Sequence, residues 1–214
     1  MKILVIEDKE LHRSSAVETL AGHDVTIVAS FEEGINLLKG KEDVAFEAVL
    51  TDMMMSAGRS GAASGMCNPN EQVPYGFILA LRAALRGVPF VAMVTDTNHH
   101  KSAMSAALDY LGSGYYPENG FTPNFVINNA KVMFVHTPFV EDLVKDAPCT
   151  RCEENPGICC HCHGTGESQM YLGESCGLCK ENRGVCDKCN GTLKFDDTVH
   201  ERKDWGQILT DLTK

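Results

Sequence analysis

Residues 2–8 read KILVIED, in which an apolar run ends in two adjacent carboxylates. Uninterrupted apolar runs of this length are typical of strands that are buried on both faces of a parallel sheet. In such sheets, ligands bind beyond the carboxyl ends of the strands. The stretch therefore predicts a central strand that places Glu7 and Asp8 at the edge of the sheet where a site can form.

Strand and helix patterns alternate over the first two thirds of the chain. After the first strand, the predicted strands are residues 23–29, 47–51, 89–95 and 131–137, and the predicted helices are residues 10–21, 30–40, 76–86 and 101–111. Ser30 and Glu33 have the spacing of a capping box, which predicts the start of the second helix. The alternation predicts an α/β fold, a doubly wound five-stranded parallel sheet with helices on both faces.

Two connections are longer than is usual in a compact domain. Residues 53–75 are rich in Met, Ser and Gly, and residues 112–130 are rich in Gly, Pro and aromatic residues. The first connection could form a lid over the strand ends or be an ordinary flexible insertion, and both interpretations stay open. For the run at residues 53–55, packing in the core is the default expectation.

The last stretch of the chain is amphipathic. One helical stripe carries the apolar residues Trp205, Ile208, Leu209 and Leu212. Because such a stripe needs a core to cover it, we expect the chain to return to the sheet and add a final helix at residues 203–213. That helix completes a domain at residues 1–146, with an inserted module at residues 147–195 and a return segment within residues 196–214. In the competing interpretation, residues 138–146 form the covering helix and the chain ends in a separate tail.

The C-terminal third contains eight cysteines in four Cys-x-x-Cys pairs. The pairs are Cys149 and Cys152, Cys159 and Cys162, Cys176 and Cys179, and Cys186 and Cys189. Two residues between cysteines let both thiolates face one tetrahedral metal, so eight ligands suffice for two structural zinc sites. The segment has few large apolar residues, and metal binding can supply the stability that it lacks. Cys160 is left over, and it is the best candidate for a reactive thiol.

The composition restricts the classes of partner. The net charge of −10 opposes a polyphosphate partner, so we do not expect the chain to bind nucleic acid. No apolar run approaches the ~20 residues that a membrane-spanning helix needs, and the N-terminus lacks a secretory signal pattern. Cysteine pairs without such a signal favour zinc over disulfides, and we expect a reducing cytoplasm. The oligomeric state stays open.

Three stretches carry a family resemblance: ILVIEDK at residues 3–9, VLTDMMM at residues 49–55 and PFVAMVT at residues 89–95. Together they resemble the receiver domain of bacterial response regulators, a flavodoxin-like fold. The resemblance implies that Glu7, Asp8 and Asp52 hold Mg²⁺, that Asp52 accepts a phosphoryl group, and that Thr95 follows its charge. The implied site is physically reasonable, because three converging carboxylates repel one another and attract a hard divalent cation.

Two positions depart from the receiver pattern. That family places a lysine and then a proline after the fifth strand, whereas residues 135–139 read VHTPF, which predicts a pocket without the lysine. The usual Met-Pro after the aspartate reads Met55-Ser56. Three functions therefore stay open: a receiver-like signalling protein, a metal-dependent enzyme, or a non-catalytic scaffold with a vestigial pocket. The enzyme would combine Asp8, Asp52 and Asp96 with His99 or His100, and His136 lies at a neighbouring strand end and could join them.

Residues 159–166 contain Cys-x-x-Cys-x-Gly-x-Gly, and residues 186–192 contain a shortened copy. These motifs resemble the cysteine-rich zinc domain of DnaJ-type chaperones, in which the outer pairs share one zinc and the inner pairs share the other. The resemblance implies one site of Cys149, Cys152, Cys186 and Cys189, and a second site of Cys159, Cys162, Cys176 and Cys179. Such a module can dock a protein partner, although a purely structural role is the commoner case.

Overall fold

The computed structural model describes residues 1–39, 46–58, 68–96, 125–149, 158, 162, 165, 167, 186, 189, 192 and 194–214. Contacts divide the chain into two compact units. The first unit combines residues 1–140 with residues 201–214, and the second unit is residues 141–200. The second unit is therefore an insertion in the sequence of the first.

In chain order, the elements are β1 (Lys2–Ile6), α1 (Glu10–Thr19), β2 (Asp24–Val28), α2 (Phe31–Lys39), β3 (Ala48–Asp52), β4 (Met55–Ser56), β5 (Gln72–Val73), α3 (Tyr75–Leu85), β6 (Phe90–Thr95), β7 (Phe125–Ile127), β8 (Ala130–His136), β9 (Asp142–Pro148), β10 (Lys194–Val199) and α4 (Trp205–Thr213). The predicted helix at residues 101–111 lies outside the described residues. Within the described part of the chain, no helix is long and apolar enough to cross a membrane.

A six-stranded sheet forms the centre of the first unit. Its strand order is β2-β1-β3-β6-β8-β7, and all neighbours are parallel except β7, which pairs antiparallel with β8. The order of the five parallel strands is that of flavodoxin-like folds. In the register, Ile6 pairs with Thr51 and Asp52 pairs with Val94. The carboxyl ends of β1, β3 and β6 therefore meet at one edge of the sheet.

The sixth strand corrects the prediction of five strands. It is joined to β8 by Asn128 and Asn129, whose φ angles are 49° and 66°. Asparagine tolerates this left-handed backbone, which two-residue hairpin loops require. The sequence prediction assigned β7 to the loop at residues 112–130, because a strand of three residues is too short to show a periodicity.

Helices α1 and α4 cover one face of the sheet. The buried residues of α4 and β1 that pack in one cluster there are Trp205, Ile208, Leu209, Leu212, Ile3 and Val5. The amphipathic stripe at the end of the chain is therefore the inner face of a sheet-covering helix. The competing interpretation, a covering helix at residues 138–146, is wrong, because most of this stretch belongs to β9.

Helices α2 and α3 cover the opposite face. The core on this side includes Met53 and Met55, so two members of the methionine run pack in the core as expected. Helix α2 begins at its predicted cap, because the Glu33 N–H donates to Ser30 Oγ at 3.2 Å. Glu33 Oε2 accepts in return from the Ala29 N–H at 2.9 Å.

The second unit contains an antiparallel pair of strands, β9 and β10, which flank the cysteines in the chain. Their register runs from Lys194 opposite Pro148 to Val199 opposite Asp142. Among the described residues of this unit, the buried cluster consists of Cys149, Cys186 and Cys189. The sequence prediction drew the module around the cysteines from residue 147, whereas the contacts extend this unit to both strands.

Candidate functional site

Three carboxylates meet at the carboxyl edge of the sheet. Glu7 and Asp8 directly follow β1, and Asp52 is the last residue of the neighbouring strand β3. One carboxylate oxygen from each residue lies within 4.8 Å of the others, and Glu7 and Asp52 are buried. Gly76 lets α3 start directly against this edge, because a Cβ on it would lie 2.3 Å from the Asp52 carbonyl oxygen. The structure thus brings together the three predicted magnesium ligands.

A buried lysine occupies the same cluster. The Lys203 side chain is 0% exposed, and its Nζ lies 2.6 Å from Glu7 Oε2 and 2.6 Å from Asp52 Oδ1. The expectation of a pocket without a lysine is therefore wrong. Residues 135–139, where the receiver pattern has its lysine, contain none, whereas Lys203 follows the inserted unit. Its position before Trp205, at the start of the amphipathic stripe, was the available signal.

Backbone pairing places Lys203 beside the segment that follows the fifth parallel strand, β8. Lys203 forms an antiparallel bridge with Phe139. On either side of the bridge, the Val140 N–H donates to the Arg202 carbonyl at 2.8 Å, and the Asp204 N–H donates to the Pro138 carbonyl at 2.9 Å. The chain that leaves the first unit and the chain that returns to it are therefore hydrogen-bonded to each other at the pocket.

Helix α1 and the indole of α4 also hold Lys203 in position. Ser15 Oγ donates to the Lys203 carbonyl at 2.6 Å, and the Lys203 N–H donates to His12 Nδ1 at 3.4 Å. The Trp205 indole N–H donates to the His12 carbonyl at 2.9 Å, and its ring centroid lies 5.4 Å from Lys203 Nζ. These contacts hold the backbone of the lysine, so that its side chain is directed into the carboxylates.

Burial determines how this cluster is protonated. Desolvation raises the pKa of Asp52 to about 7, although the Lys203 ammonium acts in the opposite direction. Desolvation also raises the pKa of Glu7. For Lys203, desolvation favours the neutral form, but the charges of Asp52, Glu7 and Asp96 outweigh it and raise the pKa of the ammonium. The lysine is therefore charged near neutral pH, where Asp52 titrates.

Asp96, which follows β6, is held by two basic residues. It forms an ion pair with Lys9 Nζ and lies 3.1 Å from His12 Nε2. Burial favours its neutral form, but the hydrogen bonds from His12 and Lys9 and the charge of Lys203 outweigh this and lower the pKa of Asp96. A carboxylate whose pKa lies so far below neutrality is a poor general base. Asp96 is therefore held as the ionised partner of Lys9 and His12.

Two buried oxygen atoms of the cluster, Asp8 Oδ1 and Asp52 Oδ2, accept no hydrogen bond. Leaving a buried acceptor unsatisfied is unfavourable, and a cation would satisfy both. When ionised, the three carboxylates and the lysine leave a formal charge of −2, which one divalent cation balances. Oxygen ligands are those that Mg²⁺ prefers. The residues present therefore fit a magnesium ion.

Of the other residues predicted for this site, Thr95 and His136 belong to the described part of the chain. Thr95 is buried at the end of β6, and in the register it pairs with His136 of β8. In the described part of the chain, His136 does not belong to the carboxylate cluster. His99 and His100 lie outside the described residues.

Three cysteines of the first predicted zinc site lie together in the second unit. The Sγ atoms of Cys149 and Cys186 are 3.8 Å apart, and all three Sγ atoms, including that of Cys189, lie within 4.8 Å of one another. Cys162 of the second predicted site is also buried. The other predicted ligands, Cys152, Cys159, Cys176 and Cys179, and the spare thiol Cys160, lie outside the described residues.

The same hydrogen bonds join the first and last residues of the two Cys-x-Gly-Thr stretches. The Thr165 N–H donates to the Cys162 carbonyl at 3.0 Å, and the Thr192 N–H donates to the Cys189 carbonyl at 2.9 Å. Both threonine hydroxyl groups donate to the same carbonyl groups. The repeat seen in the sequence therefore corresponds to a repeated local structure.

No protein-family model matches the chain, and no curated protein does. Among solved structures, it is similar to the N-terminal domain of a response regulator/sensory box/GGDEF 3-domain protein from Carboxydothermus hydrogenoformans, with 15% identity and a TM-score of 0.35 over 64% of this chain and 81% of that one. It is also similar to a response regulator receiver domain protein from Clostridium thermocellum, with 16% identity and a TM-score of 0.33 over 65% of this chain and 83% of that one. Similarity at this level does not establish a function.

Proposed function

We propose that the chain is a receiver-like signalling protein that binds Mg²⁺ at Glu7, Asp8 and Asp52 and accepts a phosphoryl group on Asp52. The observation that supports this most directly is the Lys203 ammonium, fully buried between Glu7 and Asp52. Burying several charges at one place is costly, and such clusters are concentrated at functional sites. Here the cluster lies where open parallel sheets bind their ligands.

In the proposed transfer, an Asp52 carboxylate oxygen attacks the phosphorus of a donor. The new bond joins that oxygen to phosphorus, and the bond from phosphorus to the donor's leaving oxygen or nitrogen breaks, with its electron pair staying on the leaving group. Glu7, Asp8 and Asp52 would hold Mg²⁺, which when bound would offset negative charge on the transferred phosphoryl group. Lys203 supplies a fixed second positive charge, and the Thr95 hydroxyl on the adjacent strand donates a hydrogen bond to the transferred group.

Intact-mass measurement tests this proposal. The full chain and the variants Asp52→Asn and Asp24→Asn are incubated with Mg²⁺ and acetyl phosphate, where Asp24 is a matched, exposed control aspartate. We expect the wild type and Asp24→Asn to gain the mass of one phosphoryl group and Asp52→Asn to gain none. No gain by wild type that nevertheless binds Mg²⁺ would reject phosphotransfer from this donor and favour a non-catalytic scaffold.

For the second unit, we propose two structural zinc ions, one on Cys149, Cys152, Cys186 and Cys189, and one on Cys159, Cys162, Cys176 and Cys179. The proximity of three ligands of the first site supports the nested pairing. Elemental analysis of the purified chain should find two zinc ions per molecule. One zinc ion, or none, would contradict the nested arrangement.

We further propose that this unit docks a protein partner. Strand β9 supports this, because Leu143 is 62% exposed and Val144 is 40% exposed on a two-stranded ladder. A photo-crosslinker at position 143 should capture one specific protein in cells, and it should lose that product when zinc ligands are replaced by serine. The same products from a crosslinker at the exposed position Glu18 would reject a specific dock.

A further inference from the structure

We infer that Ser56 is a positioning residue for the metal ligand Asp8. This inference rests on the proposed Mg²⁺ site. The Ser56 N–H donates to Asp8 Oδ2 at 2.9 Å, and the Ser56 hydroxyl group donates to the same oxygen at 3.0 Å. One residue therefore supplies two hydrogen bonds to one carboxylate oxygen.

These two bonds give the Asp8 oxygens different environments. Oδ2 is held by the protein, whereas Oδ1 is buried and accepts no hydrogen bond. Two donors on one oxygen restrict the rotation of the carboxylate, and so restrict the direction of the other oxygen. Groups that orient a metal ligand in this way commonly contribute about 10–100-fold to metal affinity. The arrangement therefore prepares Oδ1 for a cation before the cation binds.

The hairpin that carries Ser56 holds its hydroxyl group in place. Ser56 of β4 lies opposite Gln72 of β5, and Gln72 Nε2 donates to Ser56 Oγ at 3.4 Å. Because a hydroxyl group has one hydrogen to donate, accepting from Gln72 leaves that hydrogen for Asp8. The adjacent Met55 is buried in the core and anchors the strand.

The pairing of β4 with β5 continues into the first and last residues of the long connection between them. The Ala57 N–H donates to the Glu71 carbonyl at 2.8 Å, and the Gly58 N–H donates to the Pro69 carbonyl at 3.1 Å. The base of this connection is therefore built on the residue that holds Asp8. A proline at position 56, as in the receiver pattern, has neither an N–H nor a hydroxyl group. The double donor is thus specific to the serine of this chain.

Calorimetric titration of the full chain with MgCl₂ tests this inference. We expect Ser56→Ala to weaken Mg²⁺ binding about tenfold, because it removes one of the two donors to Asp8. Ser56→Thr keeps both donors and should bind within about twofold of wild type. Ser14→Ala, at an exposed serine of α1, is the matched control and should bind like wild type. Asp8→Asn should abolish binding.

The outcomes separate the inference from the proposed function. If wild type binds Mg²⁺ and Ser56→Ala binds equally well, the role of Ser56 is rejected, while the phosphorylation experiment on Asp52 still stands. A Ser56→Thr variant as weak as Ser56→Ala would also reject it, because the hydroxyl group would then not be the cause. If wild type binds no Mg²⁺, the metal site and the role of Ser56 are both rejected.

Discussion

In the described part of the chain, two clusters of side chains could hold a metal ion, and they are supported in different ways. Glu7, Asp8, Asp52 and Lys203 lie at the edge of a six-stranded sheet with a hydrophobic core on each face. In the second unit, the cysteine cluster accompanies a two-stranded ladder, and in the described part of that unit the buried cluster contains cysteines alone.

This difference indicates different relations between metal and fold. In the first unit, a large core can offset the unfavourable burial of several charges, and Lys203 partly balances them before any cation binds. The sequence of the cysteine-rich module has few large apolar residues, and burying so few cannot offset the entropy of ordering the chain. We therefore expect the first unit to fold without a metal and to bind it as a ligand. The second unit should fold only when a metal is bound.

The largest expected effect is that of zinc removal from the second unit. Structural zinc sites contribute about 10–16 kcal/mol of apparent binding free energy, so a strong chelator should unfold this unit. Hydrogen exchange should show loss of protection in β9 and β10, with protection retained in β1 and β3. Cys149→Ser should have a similar effect, and Cys67→Ser, at a cysteine outside the four pairs, is its control. Retained protection in β9 and β10 after the metal has been removed would contradict this comparison.

The first unit should survive this unfolding with a small loss of stability. Lys203 would then close a disordered loop, and each doubling of loop length costs only about 0.6 kcal/mol. The contacts of Lys203 with Phe139, Ser15 and His12 belong to the first unit and do not depend on the cysteines. Simultaneous loss of protection in β1 would show that the two units fold as one.

Replacement of the buried lysine is expected to have the next largest effect. Lys203→Met leaves Glu7 and Asp52 without their ammonium partner and should lower the free energy of unfolding by about 3–5 kcal/mol. Chemical denaturation at neutral pH measures the change. Lys194→Met, at an exposed lysine of β10, is the matched control. A variant as stable as wild type would show that the ion pairs contribute nothing net.

The pKa of Asp52 predicts a pH-dependent metal affinity. Its pKa is raised from 3.8 to about 7, so the folded, metal-free protein holds a proton there that the unfolded chain has lost. This term makes the metal-free protein less stable as the pH rises between those two values. Mg²⁺ must displace the proton, so its affinity should rise up to about tenfold per pH unit below pH 7 and level off above it. Titrations in buffers of different ionisation enthalpy measure the proton release, and an affinity independent of pH would contradict the raised pKa.

The smallest expected effect is local to α2. Ser30→Ala removes the acceptor for the Glu33 N–H and should cost about 1 kcal/mol of stability. Because this helix belongs to the first unit, the loss should be the same with and without zinc. Denaturation of Ser30→Ala and of Ser14→Ala, an exposed serine inside α1, measures the difference. A loss that depends on zinc would contradict the independence of the two units.

Local sequence patterns predicted much of the first unit. Five apolar runs predicted the five parallel strands. The positions of Glu7, Asp8 and Asp52 at the ends of these runs predicted that their carboxylates meet at one edge of the sheet. The capping pair Ser30 and Glu33 and the apolar stripe of the last helix were also readable. These features could be predicted because burial on a sheet or a helix imposes a short period on the sequence. β7 was missed because its three residues are too few to show one.

The site itself was only half readable. The lysine that contacts Asp52 lies 151 residues away in the chain, and no local pattern links the two. Ser56 was read as a departure from the receiver pattern, whereas the structure shows it donating to Asp8. In both cases the missing information was a contact between segments that are far apart in the chain.

The sequence by itself determined where the apolar runs lie along the chain, which carboxylates follow them and how the cysteines are spaced. Each of these features depends only on neighbouring residues. Only the tertiary structure decided that the Lys203 ammonium lies among the carboxylates and that Ser56 donates to Asp8. Lys203 reaches Asp52 because residues 138–140 and 202–204 pair through backbone hydrogen bonds. Backbone groups are the same in every residue, so this pairing leaves little trace in the sequence.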